Sequence, residues 1–229
     1  MGSKGYYSSI MILWGMFVAF LIMSMKVKAA DPDPLVDFPA GPNTPFTLHN
    51  VFVNGVVTQG SGGTRAALST DVFPASIGEG ITAVRFVLVP CGVNVPHTHP
   101  RATELLNVVS GGPLLVGWVD TSGVYHFDKL CAGDVALFPR GLLHFEQNLG
   151  NTNCTFISAL NSQNPGVLNA GQALFAVPNP VLATALNIPI PVVQDLKNDF
   201  SPALLQTNIL SGCIPIPCPL VSGCCNPLV

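Results

Sequence analysis

The sequence is poor in charged residues, and those it has are not clustered. Only 9% of its 229 residues are Asp, Glu, Lys or Arg, and nine basic residues stand against twelve acidic ones. No run of Lys and Arg forms the basic patch that nucleic-acid binding needs, so we expect no nucleic acid among its partners. Long apolar runs are also missing after residue 23, so that part of the chain holds no candidate transmembrane anchor.

Methionine is absent after residue 25, which marks a break in composition. Residues 10–23 are all apolar or glycine, they follow Lys4 and the amino terminus, and small residues stand at Ala29 and Ala30. This order is typical of a secretory signal peptide, which we assign to residues 1–29. The alternative is an uncleaved anchor, but a helix over residues 10–23 spans about 21 Å of a hydrocarbon layer that is roughly 30 Å thick.

A secreted, extracellular protein meets oxidising conditions, in which cysteines form disulfides. Seven is an odd number of cysteines, so at least one thiol stays free or pairs with another chain, and the connectivity stays open. A zinc site in the tail is an alternative use of these residues, although their spacing is not the usual paired one. Asn153 begins a glycosylation sequon beside an apolar run that can hide it. The disulfide candidates are Cys91, Cys131, Cys154, Cys213, Cys218, Cys224 and Cys225.

Proline and glycine are abundant, with 21 and 22 residues, which argues against a helical bundle. Short runs rich in Val, Leu, Ile and Phe alternate with turn-forming residues, a pattern typical of antiparallel sheets. We therefore predict one all-β domain of barrel or sandwich type, followed by short helices after Pro180. The strands predicted most clearly cover residues 81–89, 105–109, 114–119, 135–138 and 154–160, and the helices residues 181–187 and 192–200.

Changes in composition also predict the order of segments along the secreted chain. Residues 30–45 are proline-rich and polar, which favours an extended arm, and residues 46–170 hold the predicted barrel. Residues 171–207 form the predicted helical segment. Residues 208–229 alternate Pro and Cys with apolar residues, so this tail cannot be a regular helix.

Three of the five histidines fall in two short motifs. His97 and His99 are two residues apart, and side chains with this spacing on a strand share one face. Pro100 bends the chain, which lets Glu104 face the same interior, and His144 arrives from another strand after a proline–glycine turn. Three imidazoles and one carboxylate suit a divalent first-row metal, and Mn(II) or Fe(II) leaves two octahedral positions open for a substrate.

Four further residues have weaker signals. His49 and His126 have no partners by spacing, so we expect ordinary surface or core roles for both. Arg101 and Arg140 lie beside the predicted ligands and can attract an anion. Structural ion pairs are nevertheless the more common use of arginines in such positions.

The two histidine motifs resemble the two germin boxes of the cupin superfamily, G-x5-H-x-H-x3,4-E-x6-G and G-x5-P-x-G-x2-H-x3-N. The first box covers residues 91–111, with Cys91 in place of its opening glycine, and the second covers residues 133–148 without a departure. Together with DPL at residues 33–35 and NSQNPG at residues 161–166, the resemblance extends over roughly residues 33–200. The chain is therefore similar to the germin-like proteins.

The resemblance implies a single cupin (jelly-roll) β-barrel with short C-terminal helices. It also implies a homo-oligomer built as a trimer of dimers, in a secreted protein of the apoplast or cell wall. The metal that the resemblance implies is Mn(II), with Fe(II) or another first-row divalent ion as the alternative. Its implied ligands are His97, His99, Glu104 and His144.

Activity differs among germin-like proteins. The positions at which this sequence departs from their pattern guide the choice between the possible substrates. Oxalate oxidases of the family bind oxalate with two asparagines, of which one matches Asn94 while Val84 stands at the position of the other. We therefore favour superoxide as substrate, with oxalate as the alternative. Asn94 and Asn148 are candidates for contact with the substrate or the ligands, although Asn148 also suits a turn. A non-catalytic matrix, cell-wall or storage protein with a structural metal fits the low charge and cysteine-rich tail.

Overall fold

A computed structural model describes residues 34–199 and 207–216 of the chain. The predicted signal peptide and Cys218, Cys224 and Cys225 lie outside the described residues. The strands are β1 Val56–Gly60, β2 Gly63–Ala67, β3 Thr82–Leu88, β4 Gly92–Thr98, β5 Glu104–Ser110, β6 Leu114–Val119, β7 Tyr125–Leu130, β8 Val135–Phe138, β9 Leu143–Asn148, β10 Cys154–Leu160, β11 Leu168–Asn169 and β12 Thr207–Ile209. The helices are α1 Val51–Asn54, α2 Ala170–Ala176, α3 Asn179–Leu186 and α4 Ile190–Asp199, with a 3-10 turn at Pro74–Ser76.

The strands form two antiparallel sheets. One has the order β1-β2-β3-β10-β5-β8, and the other has the order β11-β4-β9-β6-β7, with β12 added on β4. Neighbours in space are mostly not neighbours in sequence, as in a jelly roll. The predicted all-β barrel is confirmed, and each of the five clearest predicted strands overlaps an observed one.

The core lies between the two sheets and follows from alternation along the strands. On β3, residues at every second position are buried, and the same holds for β10. Phe86 and Phe156 stack with their ring centroids 4.7 Å apart, and Leu106 and Leu114 are fully buried. Each such side chain contributes about 1.5–3 kcal/mol through burial of apolar surface. The predicted ligands described below are attached to this packed core.

The helices follow the barrel and have a small apolar cluster of their own. Pro180 stands at the start of α3, and Leu182 of α3 packs with Val193 of α4. These two helices overlap the predicted ones, whereas α1 and α2 were not predicted. Within the described ranges, no helix has the length and apolar character needed to cross a bilayer.

The end of the described chain is fastened to the barrel. Strand β12 pairs with the first half of β4, and Cys213 forms a disulfide with Cys91, which precedes β4. Cys131 is also disulfide-bonded. Cys154 is free and fully buried, and its burial raises the pKa of the thiol to about 12. The predicted tail therefore begins as a strand of the second sheet.

Candidate metal centre

Three segments of the barrel bring the four predicted ligands together. His97 lies on β4 opposite His144 of β9, His99 follows the end of β4, and Glu104 begins β5 in the other sheet. One ligand atom from each of the four residues lies within 4.8 Å of the others, and all four residues are buried. The cluster therefore joins the two sheets of the barrel at one end.

The strand geometry explains why residues at odd spacing share the interior. The pairing of β4 with β9 shifts its register between Asn94 and His97, so both side chains are buried although they are three positions apart. Such an irregularity re-aims side chains next to functional sites. The loop that contains Pro100 then reverses the chain, so that Glu104 faces back towards the histidines.

A backbone carbonyl orients each of the three imidazole rings. The Nδ1 atoms of His97 and His144 lie 2.8 and 2.9 Å from the carbonyl oxygens of Val95 and Leu142. Nδ1 of His99 lies 2.6 Å from the carbonyl oxygen of Gly166. Because a carbonyl only accepts hydrogen bonds, Nδ1 carries the proton and the lone pair of each Nε2 is left for a metal.

The charges of the cluster also fit a cation. Burial and the neighbouring His144 lower the pKa of His97 to about 3, so this ring is neutral at neutral pH. Burial raises the pKa of Glu104, but contacts with His144 and His99 outweigh it and hold that pKa well below its usual range. Nε2 of His99 lies 3.0 Å from Oε2 of Glu104, and with Nδ1 protonated both atoms are acceptors. A metal ion between them satisfies both, so the donor set fits a bound cation.

A loop on the surface holds His99 in place. Arg101 donates from Nε to the carbonyl oxygen of Asn164 and from a terminal nitrogen to its side-chain oxygen. The same loop supplies the Gly166 carbonyl that orients His99. Arg101 therefore has a structural use in the loop, through hydrogen bonds to Asn164 rather than through the ion pair that is common for arginines in such positions.

The two predicted asparagines have different surroundings. Asn94 is buried and donates from Nδ2 to Oε2 of Glu146 at 2.7 Å, on the strand that carries His144. Asn148 stands at the opposite end of that strand, where Nδ2 donates to three carbonyls and Oδ1 accepts from the amide of Gly150. Its polar atoms are used by hydrogen bonds within turns, which is the alternative role expected for Asn148.

A small enclosed cavity adjoins the ligands. The space open to the centre of a water-sized sphere is about 10 Å³. Val84 borders this space and presents hydrocarbon to it. The lining residues are Arg65, Val84, Phe86, His97, His99, Glu104, Ser158 and Leu160.

Sequence reasoning missed three polar residues of this region. Glu146 lies two positions after His144 and is fully buried, so the spacing rule used for His97 and His99 also predicts its direction. Arg65 and Ser158 border the cavity from other strands. No motif spacing connects these two residues with the histidines, because their neighbourhood arises only from the pairing of the strands.

The other two histidines lie elsewhere. His126 contacts the carboxylate of Asp120 at 2.9 Å and stacks on Trp118, and both it and His49 are exposed. Neither belongs to the cluster, in agreement with the roles expected for them.

Comparisons with known proteins match this architecture. Residues 49–194 fit the family model described as Cupin. Germin-like protein 1-3 of Oryza sativa subsp. japonica is 34% identical over 218 residues, which cover 84% of this chain and 97% of the relative. Oxalate oxidase 2 of Hordeum vulgare is 34% identical over 210 residues, which cover 80% and 93%. A solved oxalate oxidase in complex with the substrate analogue glycolate superposes with a TM-score of 0.67 at 30% identity, over 76% of this chain and 99% of that one.

Proposed function

Because the chain belongs to the cupin family and, within it, to the germin-like proteins, we propose that it is a secreted, manganese-dependent oxidoreductase that dismutes superoxide. The observation that carries the proposal is the cavity of about 10 Å³ beside the four ligands. This is about the space that one water molecule needs. Superoxide, with two heavy atoms, is much nearer to this size than oxalate, with six.

The donor set supports manganese as the metal. Imidazole and carboxylate ligands without a thiolate suit a first-row divalent ion, and four protein ligands leave two octahedral positions for small molecules. When bound, manganese supplies one-electron redox chemistry between its +2 and +3 states. The chain contributes the fixed rings of His97, His99 and His144, the ionised Glu104 and a small cavity beside them.

Metal content is the measurement that tests the site. We expect the secreted, untagged protein to contain about one manganese per subunit, and the His97→Ala/His144→Ala variant to contain less than about a tenth of that. The exposed His126→Ala variant serves as the control and keeps its metal. Metal analysis and suppression of a superoxide-dependent dye reduction are measured on the same samples. A loaded protein that fails to suppress the dye reaction contradicts the proposed activity.

Oxalate oxidation is the second candidate, and the relatives favour it. The matched barley enzyme and the matched structure are both oxalate oxidases. Val84 argues against it here, because a valine side chain offers no hydrogen bond to a carboxylate. Release of hydrogen peroxide when oxalate is added to the manganese-loaded protein supports oxalate oxidation, and its absence contradicts it.

The proposal also includes secretion, glycosylation and self-association. The disulfide between Cys91 and Cys213 suits an oxidising compartment, and Asn153 is exposed directly before β10. Leu105 and Leu137 are about half exposed and face each other across β5 and β8, and exposed apolar neighbours of this kind favour a contact between subunits. Light scattering of the secreted protein, before and after removal of glycans, tests the trimer of dimers and the sequon together.

A further inference from the structure

Arg65 is a charged residue on an inward-facing position of the barrel. It lies on β2 opposite Phe86 of β3, and Phe86 is only 3% exposed. Arg65 borders the same cavity as His97, His99 and Glu104. The strand therefore points a positive charge towards the proposed substrate space.

The guanidinium group lacks the partners that usually accompany a buried charge. Nε of Arg65 is buried without a hydrogen-bond partner, and the described residues contain no carboxylate in an ion pair with it. Burial lowers the pKa of Arg65, while the charge of Glu104 acts in the opposite direction. Arg65 as a whole is only partly buried, but a guanidinium whose Nε is withdrawn from water without a partner favours an anionic ligand.

Ser158 adds a second donor to the same space. It lies on β10, next to β3 in the sheet, and is 1% exposed. Its hydroxyl has no hydrogen-bond partner and borders the cavity that Arg65 also borders. A hydroxyl and a guanidinium together offer donors to an anion whose other side faces the metal.

We propose that Arg65, assisted by Ser158, is the anion-binding residue of the cavity and selects small monoanions of about superoxide size. This inference rests on the proposed function, since it concerns the substrate of the same site. The cavity volume sets the size limit, and the guanidinium binds an anion more strongly than a neutral molecule of similar size. Azide is the probe because it is a redox-stable monoanion that is only one atom longer than superoxide.

Calorimetric titration with azide tests the proposal independently of turnover. The titration uses anaerobic protein, with and without Mn(II), whose metal content and thermal midpoint have been measured. We expect Arg65→Gln to weaken azide binding by about tenfold or more, as loss of a charged hydrogen bond does. Ser158→Ala removes a smaller donor, and we expect it to weaken binding by about threefold.

Arg85→Gln is the matched control. Arg85 lies on β3 one position before Phe86, is exposed and packs over Phe52 on the outside of the barrel, with 5.5 Å from its guanidinium carbon to the ring centroid. The Arg85→Gln variant loses one positive charge, as Arg65→Gln does, and its affinity for azide is expected to stay within about twofold of the wild type. If Arg65→Gln fails to fold, Arg65→Lys and Ser158→Ala replace it in the titration.

The outcomes separate this inference from the proposed activity. Azide affinity that depends on Arg65 in a protein without dismutase activity supports the anion site and contradicts the activity. An affinity unchanged within about twofold in a folded Arg65 variant overturns the inference, even if the wild type dismutes superoxide. Absence of azide binding to the wild type, with and without Mn(II), also overturns it.

Discussion

Glu146 is a carboxyl group with no exposure to solvent, in a barrel that already holds the carboxylate of Glu104. Burial and the charge of Glu104 raise its pKa well above the usual value, although the hydrogen bond from Asn94 opposes the shift. Its Oε1 has no hydrogen-bond partner. Two buried carboxyls near each other resist simultaneous ionisation, so Glu146 stays protonated where an exposed glutamate is charged.

This raised pKa predicts that Glu146→Gln stabilises the metal-free protein at neutral pH. A carboxyl whose pKa is higher in the folded protein than in the unfolded chain stabilises the fold fully below its unfolded pKa of about 4.5. This stabilisation is lost as the pH rises through the folded pKa. Glutamine keeps an acceptor for Asn94 and does not ionise, so we expect about 1–3 kcal/mol of added stability near pH 8. The gain disappears towards pH 4.

Denaturant titrations of the wild type and the variant across this pH range measure the difference. Glu79→Gln is the control, because Glu79 is exposed and hydrated in both states. A gain that does not depend on pH contradicts the assignment of the raised pKa to Glu146.

Individual residues differ in how far the sequence predicts their place. The spacing of His97, His99 and His144 within recognisable motifs was enough to predict their common direction. Arg65 was not predicted, because a single arginine between Thr64 and Ala66 shows no periodicity. Its place follows from the register of β2 against β3, which is a long-range property of the sheet.

At the scale of elements, the turn between β1 and β2 fits closely under β12. A Cβ atom added at Gly62 lies 2.2 Å from the carbonyl oxygen of Asn208, and Oγ1 of Thr207 donates to the carbonyl oxygen of Gly63 at 2.9 Å. Glycine is needed at residue 62 because another backbone passes directly over it. Strand β12 thus packs directly on this turn.

We expect Gly62→Ala to lift β12 from the barrel and to destabilise the fold by about 1–3 kcal/mol, as overpacking does. Limited proteolysis, with sites mapped by mass spectrometry, is expected to show faster cleavage near β12. Gly123→Ala is the control, because Gly123 has a φ of +79° but no atom within 4 Å of an added Cβ. If the two variants are cleaved near β12 at the same rate, the close packing over Gly62 does not hold β12 on the barrel.

Prediction of elements succeeded where one face of the strand is apolar. β3, β6 and β10 are rich in Val, Leu, Ile and Phe, and their positions were predicted closely. β7 is polar and largely exposed, and β12 has only three residues in a tail read as irregular. Such strands depend on neighbours that lie far away in the sequence, so local patterns do not show them.

The whole molecule is closed by the disulfide between Cys91 and Cys213, which are 122 positions apart. A bridge across so long a loop restricts the unfolded chain and contributes roughly 5 kcal/mol in the chain-entropy model. Cys91 has a φ of 61°, a conformation that favours glycine. Cys91 stands at the position of the motif's opening glycine. It thus has the backbone conformation that favours glycine, and it also forms a crosslink.

Two double variants separate the crosslink from the backbone. We expect Cys91→Ser/Cys213→Ser to lose about 2–5 kcal/mol of unfolding free energy. Cys91→Gly/Cys213→Ser loses the same bridge but relieves the left-handed backbone, so it is expected to be about 1 kcal/mol more stable than the serine pair. Equilibrium denaturation under non-reducing conditions measures both. Equal stabilities of the two variants contradict the expected strain at Cys91.

The four ligand side chains lie below the surface and come from both sheets, with exposures of 1% for His97, 6% for His99, 3% for Glu104 and 2% for His144. Because these side chains are buried, we expect an ion held there to exchange slowly, with local opening of the barrel as the limiting step. Which metal ion occupies the site then depends more on the ions present while the chain folds than on later competition between ions in solution. On this expectation, the ion found in the protein reflects the compartment in which the chain folds.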